Sequence, residues 1–280
     1  MSSLNHAGLS STTVRSDRFL KRALCDRAFC ESDPCVGRAL HEAGDSSNPR
    51  GCNMIAAIIP AHNEEEWAGA CVASVQAAAM APELNGEPVM AVVVADSCSD
   101  GTVGIVSALG AIAVAVNFRN VGLARAAGAA TALAAGARWL AFTDADTVVA
   151  PDWLAAQLRQ QCDVVCGTVA VEDWHDYGER MRSHYARTYT DRDGHRHIHG
   201  ANLGVCAKAY LRAGGFAPLQ SSEDVALVNA LIASGAQVAW SAAPRVVTSA
   251  RRDFRAPDGF GATLLRVDAQ ATLARRAAPC

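Results

Sequence analysis

Two aspartates one residue apart, Asp144 and Asp146, follow the apolar run 138–143 in the segment FTDADT. In an extended segment, residues i and i+2 point to the same side of the chain, so the two carboxylates would project side by side. Two like charges at that distance repel, and burying them is costly without a positive partner. A bound cation would resolve the conflict, and so would exposure of both side chains in a solvated turn. The aspartate pair alone therefore leaves both a ligand site and a surface turn open.

Short apolar runs alternate with helical patterns in the chain that follows Asn53. The predicted elements, in chain order, are strand 54–59, helix 64–80, strand 89–95, helix 101–109, strand 111–116, helix 122–137 and strand 138–143. Continuous apolar strands that alternate with helices predict a parallel sheet covered by helices on both faces. Sheets of this kind bind ligands at the carboxyl ends of their strands.

Polar side chains that could bind a ligand or take part in catalysis follow three of these strands. His62 and Glu64 come after the first strand, Asp96 after the second, and Asp144 and Asp146 after the fourth. A lone D-x-D is frequent by chance, whereas polar groups from several strand ends that converge on one crevice are not. This clustering favours a ligand site over a solvated turn.

Several of these side chains also have local explanations. Asn63 is predicted to cap the following helix, with Glu66 completing a capping box. Asp96 could accept hydrogen bonds from a base or a ribose, or it could form a turn. Arg125 lies near the start of an Ala-rich helix, where the helix dipole disfavours a cation. We therefore expect Arg125 either to have a carboxylate or phosphate partner or to be a solvated surface residue.

Two segments in the second half of the chain carry further candidates. His195, His197 and His199 alternate in DGHRHIHGANLGV. An extended conformation would turn all three to one side, as a transition-metal site would need, but a polar loop with only His199 near the site is favoured. Glu223 and Asp224 open a predicted helix, where acidic residues suit the helix dipole. A carboxylate there could also be a general base, if the fold brings it to the crevice.

The composition excludes several classes of protein. The 280 residues suffice for one large domain, and 25 Lys and Arg against 28 Asp and Glu give no basic field for a nucleic-acid partner. Neither lysine, Lys21 nor Lys208, follows a glycine, so a Walker-type phosphate loop is absent. No G-x-G-x-x-G follows the first strand, which argues against a dehydrogenase.

The two ends of the chain differ from its middle. Residues 1–52 are polar and aperiodic, and we expect a poorly structured appendage; residues 251–280 are Arg-rich and predicted to form a helical tail. The ten cysteines are scattered without a C-x-x-C pair. We expect no signal peptide and no transmembrane segment, and hence a reduced, cytoplasmic protein with buried, inert thiols.

The order of six motifs resembles glycosyltransferase family 2, the inverting enzymes with the GT-A fold. The motifs, which span roughly residues 53–250, are IIPAHNEEE, VVVADSCSDGT, NVGLARAAGA, FTDADTVVAPDWL, HGANLGVCAKAYLRAGGF and SSEDVALVNAL. The resemblance implies an α/β fold in one catalytic domain, with a Rossmann-like, mostly parallel sheet flanked by helices. Residues 53–150 would form its nucleotide-binding half and residues 151–250 its acceptor half.

The resemblance also implies an activity and a set of site residues. A sugar would move from a nucleotide-diphosphate sugar to an acceptor hydroxyl, with inversion and with a divalent Mg²⁺ or Mn²⁺ ion. Asp146 would hold the metal, Asp224 would be the catalytic base, and Gly200 and Ala201 would shape the donor-sugar and acceptor surface. The expected donor-binding residues are Pro60, His62, Glu64, Asp96, Arg125, Asp144 and Asn202. One departure weakens the match, because the family's usual Ala-Arg-Asn reads Ala-Arg-Ala at Arg125.

Processive members of the family carry a Gln-x-x-Arg-Trp motif and several membrane helices, and this sequence has neither. We therefore expect transfer of a single sugar, to an acceptor that the sequence does not name. Two alternatives stay open. A sugar-nucleotide nucleotidyltransferase would need a Gly-rich basic loop after the first strand, where AHNEEE is acidic. A non-catalytic sugar-nucleotide-binding protein would not need the intact Asp144–Asp146 and Glu223–Asp224 pairs.

Overall fold

The computed structural model describes residues 54–174, 177–252, 261 and 264–267. The appendage predicted for residues 1–52 and most of the helical tail predicted for 251–280 lie outside these residues. In chain order, the elements are β1 Ile55–Ala61, α1 Ala68–Ala79, β2 Val89–Asp96, α2 Thr102–Ala108, β3 Ile112–Val116, α3 Val121–Ala134, β4 Trp139–Phe142, β5 Thr147–Val149, α4 Trp153–Leu158, β6 Val164–Cys166, α5 Gly178–Thr188, β7 Leu203–Cys206, α6 Ala207–Ala213, α7 Glu223–Ala233, β8 Val238–Trp240 and β9 Val246–Thr248.

Seven of these strands form one mixed sheet in the order β3-β2-β1-β4-β7-β6-β8. The pairs β1–β2, β1–β4 and β2–β3 are parallel, which confirms the predicted α/β sheet in the first half of the chain. β7 is antiparallel to both β4 and β6, and β8 is parallel to β6. The second half of the chain, where no strand was predicted, thus extends the same sheet. β5 and β9 form a separate antiparallel pair.

Strand β1, which lies between β2 and β4, is buried on both faces because helices cover both sides of the sheet. Ile55 and Ile59 belong to the apolar cluster that includes residues of α1 and α4. Ile58, between them, points to the opposite cluster, which includes residues of α3, α6 and α7. This alternation explains why β1 is a continuous apolar run rather than an apolar–polar pattern.

Helix α3 lies close to the sheet, and this closeness depends on Gly128. A Cβ atom at Gly128 would lie 2.5 Å from Cγ2 of Ile58 and 2.9 Å from Cγ2 of Val94. The helix begins at Asn120, whose side chain accepts a hydrogen bond of 2.9 Å from the backbone N–H of Leu123. α3 therefore starts at the carboxyl edge of the sheet, where its first turns reach the strand ends.

The capping role predicted for Asn63 is wrong. Helix α1 begins after Trp67, which makes no side-chain capping bond. Asn63 has a positive φ of 54°, and its Oδ1 accepts a hydrogen bond of 2.8 Å from the backbone N–H of Ser99. Its side chain therefore joins the loop after β1 to the loop after β2.

Of the five described cysteines, only Cys71 and Cys166 are buried as expected, whereas Cys98, Cys162 and Cys206 are half-buried. Cys71 and Cys166 are buried free thiols, and burial raises the pKa of Cys166 to about 12. Burial also raises the pKa of Cys71, helped by the charges of Asp144 and Asp146. Among the residues that the structure describes, no helix has the length and apolar character needed to cross a membrane.

Candidate active site

A cavity of about 990 Å³ lies at the carboxyl ends of β1, β2 and β4. Its volume is in the range of small-molecule binding sites. The predicted site residues that line it are Pro60, His62, Glu64, Asp96, Arg125, Asp144, Asp146, Gly200, Ala201 and Asp224. Strand ends far apart in sequence therefore meet at one edge of the sheet, as expected for a parallel α/β arrangement.

Asp96 holds the loop at the rim of the cavity. Its Oδ1 accepts hydrogen bonds from the backbone N–H groups of Phe118 at 2.7 Å and Arg119 at 2.8 Å, and its Oδ2 accepts one from Asn120 at 2.9 Å. Burial raises the pKa of Asp96, but these donors outweigh it and hold the pKa below its ordinary value. The carboxylate predicted to meet a nucleobase is thus engaged by main-chain donors, as in the turn-forming alternative.

Arg125 is a buried link rather than a solvated surface residue. Its side chain is 4% exposed; Nη2 lies 2.5 Å from Oδ1 of Asp144, and Nη1 pairs with Oε1 of Glu223. The predicted carboxylate partner is therefore confirmed. Burial lowers the pKa of Arg125, but Asp144 and Glu223 outweigh it and raise the pKa above its ordinary value. Burial raises the pKa of Glu223.

Gly200 packs directly against this guanidinium group. A Cβ atom at Gly200 would lie 2.4 Å from Nη2 of Arg125, so a larger residue would displace the arginine. The backbone N–H of Gly200 also donates a hydrogen bond of 2.8 Å to Oδ2 of Asp224. Oδ1 of Asp224 accepts a second bond of 2.8 Å from the N–H of Val225. The position of Asp224 is thus fixed by the loop and by the helix that carries it.

Asp144 and Asp146 lie in the turn that joins β4 to β5, closed by a hydrogen bond of 3.1 Å from the N–H of Thr147 to the carbonyl of Asp144. The extended conformation assumed for this pair is wrong, and the two carboxylates meet different arginines. Oδ2 of Asp146 lies 3.2 Å from Nη2 of Arg251. Burial raises the pKa of Asp146 to about 7, and the charges of Asp144 and Glu64 act in the same direction.

Arg251 is a site residue that the sequence patterns missed. Its Nη1 and Nη2 lie 2.7 Å and 2.5 Å from the two carboxylate oxygens of Glu64. This two-bond pairing is the strong geometry for an arginine and a carboxylate. The only sequence signal was the Arg-rich composition of the tail, which did not single out one residue.

The acidic side chains of the cavity fit a divalent cation only if a bound molecule supplies further oxygen atoms to it. Arg125 and Arg251 face the acidic side chains of Glu64, Asp144, Asp146, Glu223 and Asp224. Negative charge is therefore in excess around the two arginines. Within the described ranges, no group of three or more His, Cys, Asp or Glu side chains is arranged to hold a metal ion. A cation held by one or two carboxylates and by phosphate oxygens fits this arrangement.

The structure does not bring Asn202 to the cavity. Its side chain is buried, with Oδ1 accepting a bond of 2.9 Å from Nε1 of Trp153. Its Nδ2 donates to the carbonyl oxygens of Thr168 at 2.7 Å and Pro244 at 3.0 Å. The amide is fully engaged in joining β7, α4 and two loops, which is a structural role rather than the predicted contact with a donor.

The three histidines lie in the loop between α5 and β7, as expected for a polar loop. His197 and His199 both line the cavity, whereas His195 does not line it. His195 and His197 stack at 5.5 Å between ring centroids, and His197 and His199 at 5.8 Å. The prediction that only His199 would lie near the site is therefore wrong, because His197 lies there as well.

Comparisons with known proteins agree with the fold and show the family. The model of the family "Glycosyl transferase family 2" matches residues 56–214. Residues 1–349 of TarS from S. aureus in complex with UDP share 17% identity and a TM-score of 0.53, covering 79% of this chain and 65% of that one. The chain thus spans about two thirds of that structure's length. Comparison with the curated proteins found no match.

A second solved structure is similar over most of both chains. Glucosyl-3-phosphoglycerate synthase from Mycobacterium tuberculosis, in complex with Mn²⁺, UDP-glucose and phosphoglyceric acid, has 18% identity and a TM-score of 0.52, with 81% of each chain covered. At such identities the likeness concerns the fold, a mixed sheet flanked by helices. The family match covers more than half of the chain, and the protein therefore belongs to glycosyl transferase family 2, with the GT-A fold.

Proposed function

We propose that this protein is a metal-dependent, inverting and non-processive glycosyltransferase. It would move one sugar from a nucleotide-diphosphate sugar to an acceptor hydroxyl. The observation that carries this proposal is the single cavity in which the Asp144–Asp146 turn and Asp224 meet, linked through the buried Arg125. The family match and the Mn²⁺ and UDP-glucose bound in the M. tuberculosis neighbour support it.

The donor would lie along the carboxyl edge of β1, β2 and β4. Pro60, His62 and the loop held by Asp96 would contact its nucleoside, and Asp144 its ribose or sugar. Asp146 would hold Mg²⁺ or Mn²⁺, with diphosphate oxygens as further ligands. When bound, the metal would neutralise the negative charge that develops on the leaving diphosphate. Burial, together with the charges of Asp144 and Glu64, raises the pKa of Asp146, and a bound cation would oppose these effects.

Asp224 would act on the acceptor. Its carboxylate would take the proton of the acceptor hydroxyl as that oxygen attacks the anomeric carbon. The bond from that carbon to the diphosphate breaks in the same displacement, so the configuration inverts. The two backbone N–H groups that bind Asp224 would hold its carboxylate in a fixed orientation.

We also propose that residues 53–250 form the core of the catalytic domain and that residues 1–52 lie outside it, while Arg251, Leu264 and Val267 of the predicted tail add side chains to the cavity. Cavity residues come from both halves of that range, with Asp96 in the first and Asp224 in the second. The alternative of a nucleotidyltransferase is disfavoured by the loops after β1 and β2. There Oε2 of Glu65 accepts a bond of 2.7 Å from the N–H of Gly101, so that a carboxylate occupies the helix start that a phosphate loop would offer.

The test is product analysis with the full-length protein. Nucleotide sugars, beginning with UDP-glucose and UDP-N-acetylglucosamine, are incubated with Mn²⁺ and a panel of alcohol acceptors, with EDTA as the control. We expect transfer only with metal, and an α-linked donor sugar should appear as a β-linked product in the NMR spectrum. A retained configuration would contradict the inverting mechanism. Donor binding without transfer to any acceptor would favour a non-catalytic binding protein.

A further inference from the structure

Helix α5 turns an apolar and aromatic face toward the cavity. The cavity-lining residues of this helix are Met181, His184, Tyr185 and Thr188. Their spacing of i, i+3, i+4 and i+7 places them on one side of a helix. The charged residues Arg180, Arg182 and Arg187 are exposed on the rest of its surface. The sequence of α5 thus separates a polar outer face from a cavity face with little charge.

Aromatic rings continue this face into the loop before β7. The ring of Tyr185 stacks on Tyr189 with centroids 4.6 Å apart, and Tyr189 stacks on His197 at 4.2 Å. We call Met181, Tyr185, Tyr189, His197 and His199 the aromatic wall. Together with Leu264 and Val267, which also line the cavity, it forms a largely carbon surface.

The tyrosine hydroxyl groups of the aromatic wall are engaged by the protein itself. Oη of Tyr185 donates a hydrogen bond of 2.7 Å to the carbonyl of Val169, whose N–H donates to Oη of Tyr189 at 2.9 Å. Oη of Tyr189 lies 3.0 Å from Nε2 of His199. These bonds fix the rings and leave mainly carbon atoms to face a ligand.

The histidines of the wall carry no positive charge near neutral pH. Burial lowers the pKa of His199 to about 3, and the charges of His197 and His195 act in the same direction. Burial also lowers the pKa of His197, whose Nε2 accepts a bond of 3.2 Å from the N–H of Thr190. Neither ring would therefore compensate the charge of an anionic ligand.

We infer that the aromatic wall is the acceptor subsite, and that it takes an uncharged alcohol carried on an aromatic or alicyclic body. This inference rests on the proposed function, because Asp224 lines the same cavity and would receive the acceptor's hydroxyl proton. A phosphorylated or carboxylated acceptor would be desolvated against neutral rings without a counter-charge. A sugar acceptor would bury several hydroxyls against polar atoms that are already hydrogen-bonded. A flat apolar body fits the wall without either cost.

Two probes that differ mainly in charge test this inference. Tyrosol, 4-(2-hydroxyethyl)phenol, and 4-hydroxyphenylacetate share the ring and the phenolic hydroxyl, and only the second is anionic. We expect the full-length protein loaded with UDP and Mn²⁺ to bind tyrosol at least about tenfold more tightly by calorimetry. Equal or tighter binding of 4-hydroxyphenylacetate or of methyl β-D-glucopyranoside, or no binding of tyrosol, would overturn the inference. The tyrosol titration is repeated without UDP, so that it tests the aromatic wall by itself. A failure of the protein to bind UDP then counts against the proposed function alone.

Variants of α5 test whether tyrosol binds at the aromatic wall. Tyr185→Ala should raise the Kd of tyrosol about tenfold or more, because it removes a ring from the wall. Tyr185→Phe keeps the ring and should stay within about twofold of the wild type. Arg187→Ala, on the exposed side of the same helix, is the matched control and should change nothing. UDP binding by each variant reports on folding, and an unchanged Kd in a folded Tyr185→Ala variant would overturn the assignment of the wall.

Discussion

Arg125 in α3 and Glu223 in α7 form a buried ion pair that connects two segments 98 residues apart in sequence. The same guanidinium group binds Asp144. Arg125 therefore joins the turn after β4 to the first turn of α7, which carries Asp224. The side chains of Arg125 and Glu223 are 4% and 5% exposed, which makes the pair sensitive to the loss of either partner.

Arg125→Met should destabilise the protein strongly. The substitution keeps an apolar stem but leaves the buried carboxylate of Glu223 without its cation. Removal of one partner of a buried pair typically costs about 3–5 kcal/mol of the free energy of unfolding, which urea denaturation would measure. The double variant Arg125→Met/Glu223→Gln should recover part of the loss, since it also removes the stranded charge.

An exposed ion pair provides the control for this prediction. Arg138 pairs with Glu87 through a contact of 2.5 Å, but the side chain of Arg138 is 40% exposed. Arg138→Met should therefore cost no more than about 1 kcal/mol. Similar losses for Arg125→Met and Arg138→Met would contradict a structural role for the buried link.

Asp96→Asn should destabilise the protein in a pH-dependent manner. The amide nitrogen of Asn cannot accept the backbone hydrogen bonds that both carboxylate oxygens accept, and we expect a loss of about 1–3 kcal/mol at pH 7. The folded-state pKa of Asp96 is lowered, so its contribution is present above the unfolded pKa of about 3.9 and is lost as the pH falls through the folded value. The difference between wild type and variant in urea melts should shrink below about pH 4. A difference that stays constant down to pH 3 would exclude the carboxylate as its source.

The first half of the sheet could be predicted from sequence because its strands are long enough to show their pattern. β1 and β2 have seven and eight residues, are apolar apart from the terminal Asp96 of β2, and alternate with helices. β6 and β8 have three residues each, too few to display a period, and β7 follows a polar loop. These strands are specified by pairing across the sheet rather than by local pattern.

Local sequence patterns predicted the cavity best where its residues follow the strand ends, whereas Gly200 and Ala201 were assigned through the family resemblance. Asp96 and Asp144 were found in this way because the carboxyl edge of a parallel sheet collects them. Asn202 was assigned to the site only through the family resemblance, and sequence alone does not distinguish a buried structural amide from a ligand-binding one. Arg251 was missed because its partner Glu64 lies 187 residues away. Long-range ion pairs of this kind leave no local signal.

Asp146→Asn should weaken the dependence of nucleotide-sugar binding on metal. With UDP-glucose, we expect Mn²⁺ to raise the melting temperature of the wild type, and the apparent Mn²⁺ affinity of the variant to be lower by about tenfold or more. In EDTA the two proteins should bind the nucleotide sugar alike. Asp152→Asn, an aspartate outside the cavity that pairs with Arg159, is the control and should behave as wild type. An unchanged Mn²⁺ response in Asp146→Asn would remove the metal assignment.

The rate of transfer by Asp224→Asn, measured together with donor affinity, tests the central claim most directly. Asn also suits a helix start and nearly matches Asp in shape, so the change removes the basicity and one of the two acceptors of backbone N–H bonds. With a productive donor and acceptor, we expect kcat to fall by about 10²–10⁴-fold, while the Kd of the nucleotide sugar stays within about twofold of the wild type. A kcat near that of the wild type would contradict the assignment of Asp224 as the catalytic base.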